Sequence, residues 1–540
     1  MPETPRPQDT GDGPGGVTGQ VTGQVTGQVG EILPPGPARA STERDHRGCS
    51  PGGSHGGAQG PSSGPAGIPA SPPEGSPEDS AQGPTPGHRG DEVQQAPRAR
   101  PPSSPLAGPG ATVPRASVPL SFLAAGGIGL IGFGLAVSLA APRAVEAPNL
   151  PGVVAAVHVG VLAFLTTSVL GALHQFAPVV GGRPLRSETV ARVTMVAMVV
   201  AAWLLPTGFA HGPEALIATG GVIGATAVCL AAWNLSGPLA SRDGGVPVVG
   251  LRISLSYLVL TVAFGVTYAF DRQAGWFALA PNRVLAHAHL GLLGWLGLTY
   301  IAVAEKLWPM FLLSHRPSQR SGAWAVGLVG SATVALAAGL LFDIPGITGL
   351  GAAGVVAGLG AHLTSLVGAV RHRRRAIELL HWFLFASATS LLTAIVVGTL
   401  AGLAPVGGDV RARLVAAEVV SLLGWLALAV VGHVHKIVPF IAYAALRARG
   451  VRTNRSGRPL LFGDLFNHTV AWATLAATAA GFIGTVSGLL AGAAPLVVAG
   501  GLCIAAGGVA VCANLTTGPL RARAPAAPAP RTPPTQASAP

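Results

Sequence analysis

The chain has 540 residues, 49% of them apolar and only 10% charged, with 76 Gly and 47 Pro, a composition far from that of a soluble globular protein. Apolar stretches of about twenty residues recur about a dozen times beyond residue 116, which excludes a soluble enzyme, a disulfide scaffold and a coiled coil. The excess of Lys and Arg over Asp and Glu, 34 against 22, does not indicate nucleic acid, because the arginines of the apolar part sit in short loops where they report topology.

Residues 1–116 read as a disordered arm: a VTGQ tetrapeptide repeats from Val17 to Gln28, and Pro/Gly/Ser-rich sequence runs on to about Pro114. No cleavage or lipidation signal is seen there, since the first apolar run begins at about Leu120. Twelve spans follow, at about 118–141, 152–180, 189–210, 213–236, 249–270, 282–313, 321–342, 347–370, 377–402, 411–445, 465–490 and 494–515. A short polar tail, 524–540, closes the chain. The loops after spans 2, 6, 8 and 10 hold Arg183/Arg186, Arg316/Arg320, Arg371/Arg373/Arg374/Arg375 and Arg447/Arg449/Arg452/Arg455/Arg458, whereas those after spans 3, 7 and 11 hold none. This asymmetry predicts a multi-pass protein of the inner (plasma) membrane, in contact with the lipid bilayer and with both termini cytoplasmic. Cysteine carries no signal: Cys49 lies in the arm, and Cys229, Cys503 and Cys512 sit in apolar runs without metal-knuckle spacing.

Three stretches match when laid side by side, His158–Pro178, His289–Pro309 and Val419–Pro439. Leu292-Leu293-Gly294-Trp295-Leu296 recurs as Leu422-Leu423-Gly424-Trp425-Leu426, with Ala163-Phe164-Leu165 in the first copy. Lys306 and Lys436 each stand three residues before the proline. Gly182-Arg183-Pro184-Leu185 returns as Gly457-Arg458-Pro459-Leu460, and Asn234-Leu235-Ser236 as Asn514-Leu515-Thr516. The expected fold is therefore an all-α membrane domain over 117–520, built as three four-helix repeats of about 117–242, 247–375 and 377–523 around a pseudo-threefold axis. Transporters made of two six-helix halves fit this period poorly.

A repeat of this kind, with His158 through Pro178, Ala286-His287-Ala288-His289-Leu290-Gly291-Leu292-Leu293-Gly294-Trp295 and Gly432-His433-Val434-His435-Lys436-Ile437-Val438-Pro439-Phe440, resembles the haem-copper oxidase subunit I superfamily, nearest its cbb3-type and nitric-oxide-reductase-like branches. The resemblance implies haem b, with copper as a further cofactor, and electron transfer or chemistry on oxygen or nitric oxide, as in an oxidoreductase related to cytochrome c oxidase. A cytochrome or a quinol would be the electron donor. His158 matches the place of the helix 2 haem ligand and His289 that of the helix 6 copper ligand. Span 7 departs from the pattern in having no His pair, and span 10 carries Glu418 and Val419 where ligating histidines are expected.

Histidine inside a membrane span is costly and marks a functional site by default, although a hydrogen bond to a neighbouring helix also accommodates it. The candidates fall in two layers sixteen residues apart, about 24 Å at 1.5 Å per residue. The outer layer holds His158, His289 and His287, with His211 as a further haem partner. His158 and His289 are expected to face one another and to share one metal or haem, or else to bond neighbouring helices in a retained scaffold. The inner layer holds His174, Glu305 and His435, with His381, Lys306, Lys436 and His468 near the same face. It reads as a proton-entry or quinol site, or as a rim in which the lysines reach water along their own stems. Side chains two apart on a helix diverge by about 200°, so one member of each His-x-His pair faces a given site; the repeat nominates His289 and His435. His362 is expected to be a satisfied helix contact, and Trp295 and Trp425 to be core. A non-catalytic scaffold or assembly partner lacking the dinuclear centre is the alternative to the haem protein, and a transporter a third reading.

Overall fold

The computed structural model describes residues 113–314 and 319–523; the N-terminal arm short of residue 113, Arg316-Pro317 and the tail 524–540 lie outside the described residues. Twelve helices are long and apolar enough to cross a membrane: α1 (Ser117–Glu146), α2 (Pro151–Gly181), α3 (Glu188–His211), α4 (Glu214–Leu239), α5 (Gly245–Ala274), α6 (Pro281–Leu312), α7 (Gln319–Leu341), α8 (Pro345–Arg371), α9 (Leu379–Leu403), α10 (Gly408–Ala448), α11 (His468–Ala491) and α12 (Ala494–Thr517). Each end lies within five residues of its predicted span. Their ends are local in origin. Pro151, Pro281 and Pro345 open α2, α6 and α8, where a missing N–H costs nothing. Ser187 and Asn467 cap α3 and α11 by accepting backbone N–H bonds.

Three helices form the interior. The most apolar windows of α2, α6 and α10 are 61, 72 and 67% buried, against 28 to 50% for the other nine. Among the outer helices α3 packs on α4, α4 on α5, α7 on α8 and α11 on α12, and α12 returns to α1. Trp295 on α6 donates to Thr166 Oγ1 of α2 at 3.3 Å, and the Tyr300 ring meets Trp425 of α10 edge-on at 5.7 Å. Both tryptophans are core residues, 1 and 2% exposed.

Several contacts recur at equivalent places. Asn234 Oδ1 accepts from the backbone N–H of Ser187 at 2.9 Å, and Asn514 Oδ1 from that of Asn467 at 2.6 Å, each across 47 residues. The His174 ring stacks on Phe122 at 5.1 Å and 21°, and the His435 ring on Phe383 at 5.5 Å and 24°. A Cβ at Gly171 would stand 2.4 Å from the Phe122 Cβ, and one at Gly432 2.6 Å from the Phe383 Cβ, so glycine lets the partner helix approach beside each histidine. In α2 and α6 the turns directly after His158 and His289, Val159–Thr166 and Leu290–Gly297, are π-helical. α10 is α-helical throughout. A short antiparallel pairing of Thr453–Asn454 with Ala522–Arg523 ties the α10–α11 loop to the end of α12.

Candidate functional site

The outer-layer histidines sit where α2 and α6 enter their π-helical turns, a feature common at functional sites. His158 Nδ1 donates to its own helix at Val154 O, 2.8 Å away, which leaves Nε2 as the lone-pair nitrogen. The ring lies near-parallel to Phe209 at 5.3 Å and to His287 at 6.5 Å, with planes 24° and 20° apart. His287 meets the ring of Tyr268 at 5.9 Å, and a Cβ at Gly265 would lie 3.1 Å from its Cε1. Its buried Nδ1 has no hydrogen-bond partner. Beside Tyr268 a cavity of about 490 Å³ is lined by Phe264, Phe277, Arg283 and Phe342.

His289 turns the other way. Its Nδ1 donates to Leu285 O at 2.8 Å, and its Nε2 is 3.5 Å from a Glu418 carboxylate oxygen on α10. The expected pairing of His158 with His289 is thus replaced: His158 meets His287, and His289 meets Glu418. The two-residue spacing of His287 and His289 accounts for this, since it sends the two rings to different sides of α6. His211 is exposed at the end of α3. Glu418 stands one residue before the repeat equivalent of His289, a signal that the alignment carried without showing that the carboxylate would take the histidine as partner.

The inner-layer residues are dispersed over separate contacts. His174 and His435, 0 and 3% exposed, bond their own helices at Leu170 O and Val431 O, at 2.7 and 2.9 Å, and stack on phenylalanines. Their Nε2 atoms have no partner. Glu305 accepts from His362 Nδ1 at 3.0 Å and from Ser365 Oγ at 2.7 Å, both on α8. His381 belongs to the cap of α9: its Nδ1 accepts from Glu378 N at 3.0 Å, and its ring meets Trp308 edge-on at 5.6 Å. Lys306 is exposed, as the rim reading expects. Lys436 is not a free snorkelling group, because its ammonium pairs with Glu378 and lies over Phe311 and Phe462. His468 is exposed at the start of α11.

Among the described residues no group of three or more His, Cys, Asp or Glu side chains converges as a metal site would. The pair His289–Glu418 supplies two such groups, against the three protein ligands typical of a catalytic zinc site. The pair His158–His287 fits a bis-imidazole site better: two rings ligating one metal at about 2 Å have centroids about 6 Å apart, near the 6.5 Å found. His433 and His362, with Tyr300 between their rings, form a further polar group of the inner half. No family model and no curated protein matches the chain.

Proposed function

We propose that the chain is an integral membrane protein of the haem-copper oxidase subunit I type, with three four-helix units about a pseudo-threefold axis, that holds haem b between His158 and His287. The observation that carries this reading is the near-parallel pair of imidazoles from two central helices, 6.5 Å apart, with His158 Nε2 left as a lone-pair donor by the bond of Nδ1 to Val154. Bound haem supplies one-electron exchange. Around it the residues of this chain bind and orient: Val154 O fixes the His158 tautomer, Phe209 packs one face of that imidazole, and Tyr268 packs the edge of His287. His289 is held by Glu418 and ligates nothing. The task is electron transfer, from a quinol or a cytochrome, or the handling of a small gas such as oxygen or nitric oxide. The arginine-rich loops support a plasma-membrane protein oriented with that face cytoplasmic.

The three-unit arrangement rests on recurrence: two equivalent π-helical turns, two equivalent His–Phe stacks and two equivalent asparagine caps. A second reading, a membrane scaffold or assembly partner, is favoured by the His289–Glu418 contact, which occupies the residue that copper would need. A reduced-minus-oxidised optical spectrum of the purified protein separates the two. The haem reading expects sharp bands, lost in both His158→Ala and His287→Ala and kept in His289→Ala. Bands at full strength in His158→Ala overturn the assignment, and their absence from the wild type leaves the scaffold.

A further inference from the structure

The cavity of about 490 Å³ beside Tyr268 lies between the second half of α5, the first turn of α6 and the C-terminal end of α7, at the end of the bundle opposite the arginine-rich loops. Its wall is aromatic. Tyr268 meets Phe264 and Phe277 edge-on at 6.0 and 6.1 Å, and its hydroxyl donates to Arg283 O at 3.0 Å, so the phenol is satisfied and apolar ring surface remains for an occupant. The rim carries Leu260 and Phe342, 41 and 68% exposed. Large apolar side chains left exposed on a membrane-spanning bundle meet acyl chains, so this cavity opens on the bilayer. Trp276, 62% exposed in the loop after α5, marks the level of the headgroups.

One charged group lines this apolar space. Arg283 is half-buried, its guanidinium lies over Phe277 at 5.8 Å, and Nη1 donates to Ala278 O at 2.5 Å. Those contacts hold the fork in place and leave its charge without a counter-ion, because a ring and a carbonyl supply none. The acids of the adjoining segments are engaged elsewhere: Asp343 accepts from Asn282, Asp271 accepts from Phe277 N at 2.9 Å, and Glu214 pairs with Arg272 at 2.6 Å. A guanidinium among aromatic side chains is costly without an anion. Phosphate oxygens match it, since two parallel N–H···O bonds reach them at once. The cavity volume falls in the range, roughly 300–1,000 Å³, that holds an organic ligand, so there is room for a hydrocarbon chain behind the anion.

We propose that a phospholipid of the adjoining leaflet occupies this cavity, with its phosphate on Arg283 and one acyl chain between α5 and α7 against Phe264 and Tyr268. A free phosphate is the poorer occupant, since it would satisfy the guanidinium and leave the aromatic wall bare. The binding is non-covalent, and no proton or electron moves. The bound chain covers Tyr268, whose ring also packs the edge of His287. No histidine belongs to the lipid site, so it survives or fails whatever the optical spectrum shows.

The test is native mass spectrometry of the full chain released from mild-detergent micelles, with the retained lipid identified by its mass. The expected result is a phospholipid that survives exhaustive detergent washing of the wild type. Its occupancy should fall about tenfold in Arg283→Gln, as the loss of a charge-assisted contact requires. It should fall as far in Ala263→Trp, which fills the cavity and leaves Arg283 in place, and stay unchanged in Arg143→Gln at the same end of the bundle. Far-UV circular dichroism checks that each variant is folded. Phospholipid retained in full by Arg283→Gln, or lost equally from Arg143→Gln, overturns the site. So does a wild type that retains a neutral lipid, a quinone or inorganic phosphate in its place. Loss of haem bands from Arg283→Gln with the phospholipid kept assigns the arginine to the haem and overturns the proposal as well.

Discussion

Replacing Asn514 should destabilise the bundle more than replacing its sequence equivalent Asn234, although both are buried amides near the ends of α12 and α4. Asn514 makes two bonds across to α11, accepting from Asn467 N at 2.6 Å and donating to Asn467 O at 3.0 Å. Asn234 makes one, from Ser187 N at 2.9 Å, and its Nδ2 has no partner. Side-chain hydrogen bonds in membrane bundles average about 0.6 kcal/mol and reach about 1.7. Asn514→Ala removes two and strands the Asn467 N–H, whose carbonyl still accepts from Ala471 N at 3.0 Å, for about 2–3 kcal/mol. Asn234→Ala removes one and strands the Ser187 N–H but relieves an unpaired donor, which partly offsets the loss and leaves about 0.5–1 kcal/mol. Equilibrium unfolding in mixed detergent–SDS micelles, followed by far-UV circular dichroism, reads both. A cost for Asn234→Ala equal to or above that for Asn514→Ala refutes the reasoning.

Glu418→Ala strands His289 Nε2, now 3.5 Å from the carboxylate, and should cost about 1–3 kcal/mol in the same unfolding assay while sparing any haem bands. Gly171→Ala drives a Cβ to 2.4 Å from that of Phe122 and should cost about 1–3 kcal/mol by overpacking in the same unfolding assay. Glu378→Ala should destabilise more than Lys436→Met, because it removes both the ion pair and the cap shared with His381, whereas Met keeps the packing over Phe311 and Phe462; thermal denaturation ranks the two. A cysteine at Ser456, among the loop arginines, should react with a membrane-impermeant maleimide only after the cells are opened, and labelling of intact cells reverses the assigned orientation.

Much of the architecture was legible in the residues themselves. Helix ends came out within a few residues because the cues are local: Pro151, Pro281 and Pro345 are suited to a first helical turn, and the apolar runs must satisfy their backbone internally in lipid. The recurrence of Asn234 and Asn514 announced an equivalent contact, and the amides do make equivalent bonds. The burial of Trp295 and Trp425 followed from their place beside Gly294 and Gly424 in the repeated segment. The candidate site was legible only as a set of residue types. His158, His287 and His289 stood out because imidazole is costly in a membrane span, whereas Glu305 drew its meaning from His362, brought by a helix far along the chain.

Length, hydropathy, the arginine loops and the internal repeat by themselves determined a twelve-span membrane protein with three interior-type helices, since each of those signals is carried by consecutive residues. The partner of each imidazole was decided only by the tertiary structure. The π-helical turns follow His158 and His289 at equivalent places in α2 and α6, so they keep the two positions equivalent, and it is the two-residue step from His287 to His289 that sends their rings to different sides of α6. At the matching level α10 presents Glu418. Hydrophobic periodicity does not resolve the phase of one helix against another, so the meeting of His158 with His287, and of His289 with Glu418, follows from how the packed helices are phased against one another.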